Sequence, residues 1–457
     1  MTLRDGMMAR FVQADRETPF LLPPSVDEWL PQGHLARFIV EILDRIDLAP
    51  MVKAYAGRGS AAHHPSVLMA LLIYGYATGV HSSRAIERAT YDSVAFRFLA
   101  ANTHPDHDTL SHFRKRFLNE FKAVFLQVLE IAADMKLLKL GTISLDGSKI
   151  KANASKHSAL SWKHAQALWQ QLQAEIDELL KKADEAESVP DGVSLPEELA
   201  LRQERLAGIE AALARIEERV AERDAREKAD YESKVAGREA IRQSGKKPRG
   251  KEPVEPVAGP RDTDQVNLTD EESRIMPVAG GGFEQAYNAQ TAVDADTMLV
   301  LALEVTQACN DKQQVVPMLE RVQALPESLG RPETLLADNG YYSEANVTAC
   351  AKAGLEPLLA LGREAHRQPL ARRLAVDPPV PAGTAGPLAL MRHTLSTRDG
   401  QARYGRRKST VEPVFGIIKQ VMRFRQFLLR GRSAADGEWN LVCLAWNIKR
   451  LAVLFRK

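Results

Sequence analysis

With 457 residues, 45% hydrophobic and 26% charged, the chain has the composition of a water-soluble protein of two to four domains. No apolar run approaches the ~20 residues a membrane helix needs. The opening MTLRDGMMARF lacks the apolar core of a secretion signal, and Cys309, Cys350 and Cys443 lie far apart without CxxC spacing. That pattern argues against disulfides and a cysteine-based zinc site, so the expectation is a cytoplasmic protein with no membrane partner. The net charge of +2 says little, but its distribution says more. From Arg392 to Lys457 there are fifteen Lys/Arg and four acids, the footprint of a phosphate-binding surface. A solvated basic face without a ligand is the plain alternative.

In chain order, residues 1–135 read as helical. Leu35, Phe38, Ile39, Ile42 and Leu43 recur at helical spacing, and His64-Pro65 opens the apolar stretch SVLMALLIYGYATG. A helix from about Ser83 follows. A further one runs from Asp108, a fitting N-cap, to about Met135. Arg84, Arg88, Arg114, Lys115 and Arg116 give this region the look of a DNA-contacting module, with a bland helical bundle as the other reading. Leu138–Ala152 then alternates as a strand, with Asp146 at the end of its apolar run, where strand propensity disfavours an acid.

From about Leu160 the character changes. Leu168, Leu172, Ile176 and Leu179 form one helical stripe, and after Pro190, Gly192 and Pro196 a second appears at Leu206, Ile209, Leu213, Ile216 and Val220. The second has heptad spacing, so residues 159–266 are expected to hold an inserted helical hairpin. The aperiodic stretch from Lys234 to Val266, rich in Pro, Gly, Lys and Glu, reads as a flexible linker. Strands at Phe283–Val293 and Met298–Thr306 make a hairpin. Next come a helix at about Asp311–Ala324, a strand Glu333–Ala337 stopping at Asp338-Asn339-Gly340, a helix near Ser343–Ala353 and a strand-like run Leu355–Leu361. A helix from about Thr410 ends the series. The expected fold is a mixed α/β sheet interrupted by the hairpin, preceded by an all-α domain.

Three acids stand out: Asp146 on the first strand, Asp338 at the end of a later one, and Glu412 in the first turn of a late helix. Each has an ordinary reading as strand-end, turn or helix-start acid, and only their joint arrangement raises the odds of a site at strand C-terminal ends. DNA phosphoryl transfer uses two hard cations about 4 Å apart, which take oxygen ligands; closely grouped carboxylates would also repel one another. On a helix, Glu412, Gly416 and Lys419 share a face. Lys419, Arg423 and Arg425 then become candidate phosphate contacts, and Tyr404 and Arg407 candidates for stacking on or pairing with a DNA end. Lys149 and Asn339, beside the acids, complete the DNA-contact set. His104, His107 and His112 with Asp106 and Asp108 match no zinc spacing and read as caps and turns. No Walker motif appears, so no nucleotide cofactor is expected, and Gly280-Gly281-Gly282 reads as a hinge.

The segments LDGSKIKANAS, GGGFEQAYNAQTAVD, LLADNGYYSEAN and YGRRKSTVEPVFGIIK together resemble bacterial insertion-sequence transposases with an acidic DDE triad, of the superfamily named after insertion sequences four and five. HPSVLMALLIYGYATGVHSSRAIER and PDHDTLSHFRKRF resemble the N-terminal domains of such proteins, so the likeness spans most of the chain. The resemblance implies an RNase H-like catalytic domain over 136–158 and 267–457, a DNA-binding domain over 1–135, and Asp146, Asp338 and Glu412 as ligands of Mg²⁺ or Mn²⁺, expected as two ions. It further implies cut-and-paste transposition on double-stranded DNA, at terminal inverted repeats and a target, by a homodimer assembled on DNA. One spacing departs from the superfamily signature. Arg407 keeps its three-residue distance from Tyr404 but precedes Glu412 by five residues rather than four, with Lys408 in the other register; Lys419 keeps its seven from Glu412. Two rivals remain: a nuclease of the same fold that never joins strands, and a DNA-binding or coiled-coil protein without a working site.

Overall fold

The computed structural model describes residues 11–12, 25–55, 57, 61–184, 194–278, 280–362, 376–381 and 385–456. Its contacts divide the chain into two units, Met1–Asn153 with Met276–Lys457, and Ala154–Ile275.

The first unit is organised around a six-stranded sheet whose strands are β1 (Thr142–Lys151), β2 (Arg274–Pro277), β3 (Phe283–Asp294), β4 (Val300–Thr306), β5 (Thr334–Ala337) and β6 (Glu356–Leu359). The order is β6-β5-β1-β3-β2, with β4 also paired to β3. β5 runs parallel to both β1 and β6, β3 is antiparallel to β1, and β4 is antiparallel to β3. β1 buries Ile143, Ser144 and Leu145 in succession, and β3 is buried along almost its whole length, as befits central strands covered on both faces.

The cover on β4 is the helix Arg432–Leu454, which also packs on Pro65–Thr78 and Leu118–Asp134. Trp439, Leu441, Val442, Leu444, Ala445 and Ile448 are all fully buried. Two of its polar side chains finish the edge strand's hydrogen bonding. Asn447 Oδ1 accepts from Val300 N–H at 2.8 Å while its Nδ2 donates to Val300 O at 2.8 Å, and Asp436 Oδ1 accepts from Val305 N–H at 2.9 Å. Buried backbone groups left without such partners would be costly.

Within this unit Pro65–Thr78, apolar on every face, needs neighbours all round and finds them partly on the C-terminal helix. The expected single helix from Asp108 is two, His107–Arg116 and Leu118–Asp134, and Asp106 caps the first by accepting from Thr109 N–H at 2.7 Å. Arg114, counted among candidate DNA contacts, is buried and donates to Tyr76 Oη and His81 O. His104 stacks on Tyr91, and His107 pairs with Glu87 at 2.7 Å.

The second unit consists of the helices Trp162–Asp184 and Leu195–Gln243 and a two-stranded ribbon, Ala159–Ser161 with Gln265–Asn267. Leu160, Ala165, Leu172, Ile209, Ala212, Ile216, Val220 and Val266 form its core, so the heptad positions do face the partner helix. The Pro190–Gly192 break lies outside the described residues. The unit is wider than the expected 159–266, and the expected linker is partly helix, since Leu195–Gln243 continues through Lys234 and beyond it. The stretch that follows is tied down by ion pairs: Arg238 and Arg242 to Glu252 at 3.0 and 2.7 Å, Arg223 to Asp264 at 2.7 Å and Arg261 to Glu227 at 2.9 Å. Gly280, Gly281 and Gly282 have φ of 93°, 90° and 90°, a run of left-handed backbone that only glycine adopts cheaply.

Candidate active site

Parallel pairing sets Leu145 of β1 opposite Ala337 of β5. Each chain continues one residue into an acid, so Asp146 and Asp338 stand at matching positions on neighbouring strands. Asp146 Oδ1 accepts from Gly147 N–H at 2.8 Å. Asp338 caps a 3-10 turn, Asn339–Tyr341, its Oδ1 accepting from Gly340 N–H at 2.7 Å; the turn reading of this motif and its placement beside Asp146 are both true.

Glu412 lies in the first turn of the helix Val411–Gln420, its side chain half exposed. Arg407 links it to the strands. One guanidinium nitrogen lies 2.9 Å from Glu412 Oε1 and another 3.6 Å from Asp146 Oδ2. Burial works against the Arg407 charge, yet Tyr404, Asp146, Glu412 and Asp338 outweigh it and raise its pKa. Asp146 goes the other way from an ordinary carboxylate: burial first, then the charges of Asp338 and Asp311, push it up to about 7 against the opposing Gly147 N–H and Arg407.

The candidate DNA contacts divide. Lys419 donates to Ser148 Oγ and to Lys149 O at 3.4 Å; burial lowers its pKa while Asp146 raises it. Asn339, Arg423 and Arg425 are exposed, Arg423 with a φ of 57° and Arg425 anchored on Lys419 O at 3.0 Å. Three candidates are placed differently from expectation. Tyr404 is buried with Leu336, Leu358 and Ala360, because the helix Arg398–Gly405 turns it inward, so its ring presents no face for stacking. Arg407 lies between the acids, and Lys149 is drawn to Asp311 at 3.3 Å.

Asp311, expected at the start of a helix, lies instead on the connection between β4 and the helix Val315–Gln323, and its place beside the acids went unnoticed in the sequence. It accepts from Asn288 Nδ2 and Gln290 Nε2, both at 2.7 Å. The clue was there: Asn288 and Gln290 alternate in the apolar run YNAQTAV, and amides buried in mid-strand require partners. Their packing also explains Gly147. A Cβ there would lie 2.1 Å from Gln290 Nε2 and 2.8 Å from Asp311 Oδ1.

Among the described residues no three acidic, histidine or cysteine side chains close on a single point as they stand. The donor set nonetheless suits a hard cation, being all carboxylate oxygen. Arg407 occupies the position of a positive charge between Asp146 and Glu412.

A Transposase domain (DUF772) model matches residues 24–116, and a Transposase DDE domain model matches residues 262–448. The chain belongs to the DDE transposases of the insertion-sequence type. Neither a curated protein nor a solved structure matches it. The DDE match takes in Asp338 and Glu412, while Asp146 precedes it, separated by the second unit. Transposases of this family process DNA, bind it and generally use divalent metal ions. No helix among the described residues is long and apolar enough to cross a membrane.

Proposed function

We propose that this transposase cleaves DNA at the inverted-repeat ends of its element and joins the freed 3′-hydroxyl to target DNA, with Asp146, Asp338 and Glu412 as ligands of two Mg²⁺ or Mn²⁺ ions. The observation that carries the reading is the placement of Asp146, in the middle of β1, beside Asp338, which directly follows the parallel strand β5, with Glu412 tied to Asp146 through Arg407. The strand order β4-β3-β1-β5-β6, three antiparallel strands followed by two parallel ones, supports an RNase H-like catalytic domain, and the heptad packing of the second unit supports an inserted coiled-coil hairpin.

Bound at these carboxylates, the cations would supply Lewis acidity to the attacking and leaving oxygens. The chain's residues do the rest. Asp146 gives up its proton to take a ligand role, and Arg407 releases Glu412 and becomes free to meet a phosphate. Lys419 holds its charge beside β1, while Asn339, Arg423 and Arg425 offer polar and cationic contacts to the DNA backbone. A homodimer assembled on DNA would bring two such sites to the two element ends.

The test incubates purified protein with Mg²⁺ and DNA carrying the element ends. Cleavage together with joining of a pre-cut end to a second DNA is expected. Cleavage without joined product would make the chain a nuclease, and neither activity would leave a DNA-binding protein. Lys419→Ala and Arg423→Ala should each weaken DNA binding and flatten its log–log salt dependence by about one unit of slope per lost phosphate contact. An unchanged slope removes that residue from the contact set.

A further inference from the structure

The turn that presents Asp338 is held from behind. Asp338 Oδ1 accepts from Gly340 N–H, and Tyr341 N–H donates to Asp338 O at 3.2 Å, so Tyr341 closes the turn that the acid opens. The Tyr341 ring is fully buried, its hydroxyl donates to Gln290 Oε1 at 2.5 Å, and its carbonyl accepts from Asn346 Nδ2 at 2.6 Å.

Gln290 is itself fully buried, and an amide has two different ends. A neutral partner at its other end would leave the amide free to turn over. Asp311 does not allow this. A carboxylate only accepts, so it fixes the amino end of Gln290 on its Oδ1 and leaves the carbonyl end for the Tyr341 hydroxyl. Asn288 and Lys149 donate to the same oxygen, which locks the carboxylate in turn. Oδ2 of Asp311 faces the turn, 3.8 Å from where a Cβ on Gly340 would stand.

We infer that Asp311 is a positioning residue for Asp338, acting through Gln290 and Tyr341 to hold the 338–341 turn in the register that a cation needs. The inference rests on the proposed cation-binding role of the acids. Partners of this kind, one step behind a ligand, typically contribute about 10–100-fold to metal affinity.

Mn²⁺ binding to the full-length protein, followed by electron paramagnetic resonance and calorimetry, tests it without recourse to activity. Asp311→Asn should weaken Mn²⁺ binding about tenfold or more. Tyr341→Phe should do nearly the same, and the double variant should lose little further, since both act along one connection. Asp311→Glu, which keeps an acceptor-only group, should recover part of the loss. A merely structural role would lower the melting temperature and leave the affinity of the folded protein unchanged. Wild-type affinity in folded Asp311→Asn, or losses that add in the double variant, would overturn the inference. If Asp311→Asn does not fold, Tyr341→Phe decides alone, and unchanged affinity there overturns it. Asp146→Asn, run alongside, keeps the two readings apart. If it too binds Mn²⁺ normally, the cation site itself is misplaced; if it alone loses binding, only the role of Asp311 falls.

Discussion

At pH 8, without divalent cations, Asp146→Asn is expected to melt at a higher temperature than the wild-type chain and to cut no DNA. Asp146 is pushed up to about 7, chiefly by burial, with Asp338 and Asp311 adding to it, whereas the unfolded chain titrates at the ordinary carboxylate value near 4. Between those values the unfolded chain has released its proton and the folded chain still holds it. Stability from this group is therefore full below about pH 4, declines as pH rises, and is lost above about 7, where roughly 2–4 kcal/mol is the cost of the buried charge. Asparagine has no proton to lose, and its oxygen can still accept from Gly147 N–H. The melting-temperature gap between variant and wild type should thus be near zero below about pH 4, open through about pH 5–7 and be widest at pH 8. A gap that does not change with pH would contradict the assignment. Adding Mg²⁺ should raise the melting temperature of the wild type through mass action and leave the variant where it was. Cleavage should fall by at least about a thousandfold, since a ligand to the charge that stabilises the transition state is lost. A variant that cleaves normally would remove Asp146 from the site.

The acids were legible because two apolar runs each stop at an aspartate, although only Asp338 stands at a strand end, while β1 runs on past Asp146 to Lys151. Glu412 was legible as a first-turn acid on an amphipathic helix carrying Lys419. What the sequence hid was inward against outward. Tyr404 lies in a basic segment and reads like a surface aromatic, but the short helix bearing it packs against the ends of β5 and β6. Arg114 stands with Lys115 and Arg116 at a helix terminus, and only the fold makes it the internal one. The helix to Gln243 outruns its apolar stripe because its last turns are solvated and rest on helix-forming residues and pairs such as Asp230–Lys234 at 2.5 Å. Asp311 lies on an irregular connection where periodicity carries no information. The stretch opened by Pro65 is apolar on every face, which already announced that other helices would cover it all round.

Glu438→Ala should be among the most damaging substitutions outside the acids. Glu438 is fully buried on the C-terminal helix. Its Oε1 accepts from the Tyr76 hydroxyl at 2.5 Å and its Oε2 from Leu428 and Leu429 N–H at 2.8 and 3.0 Å, while Arg114 donates to Tyr76 Oη at 2.9 Å. Burial raises its pKa, and Arg114, the Tyr76 hydroxyl and the two backbone amides pull it down. Alanine leaves the Arg114 charge without its counter-charge and two backbone N–H groups without acceptors, a loss of about 3–5 kcal/mol. In a unit of this size the melting temperature should fall by roughly 5 °C. Adding Arg114→Leu to Glu438→Leu should restore a good part of that, because no buried charge then remains unpaired. Equal instability of the single and double variants would mean that the backbone amides, not the Arg114 charge, set the cost. The consequence reaches function as well. Leu428 and Leu429 end the segment that pairs with β1 through Lys151 N–H to Arg425 O and Phe427 N–H to Lys151 O, and this segment carries Arg425. Glu438→Ala should therefore weaken DNA binding even below its melting point, while substitutions of similar thermal cost in the second unit should not. If DNA affinity tracks melting temperature alone, the tether has no part in holding the arginines.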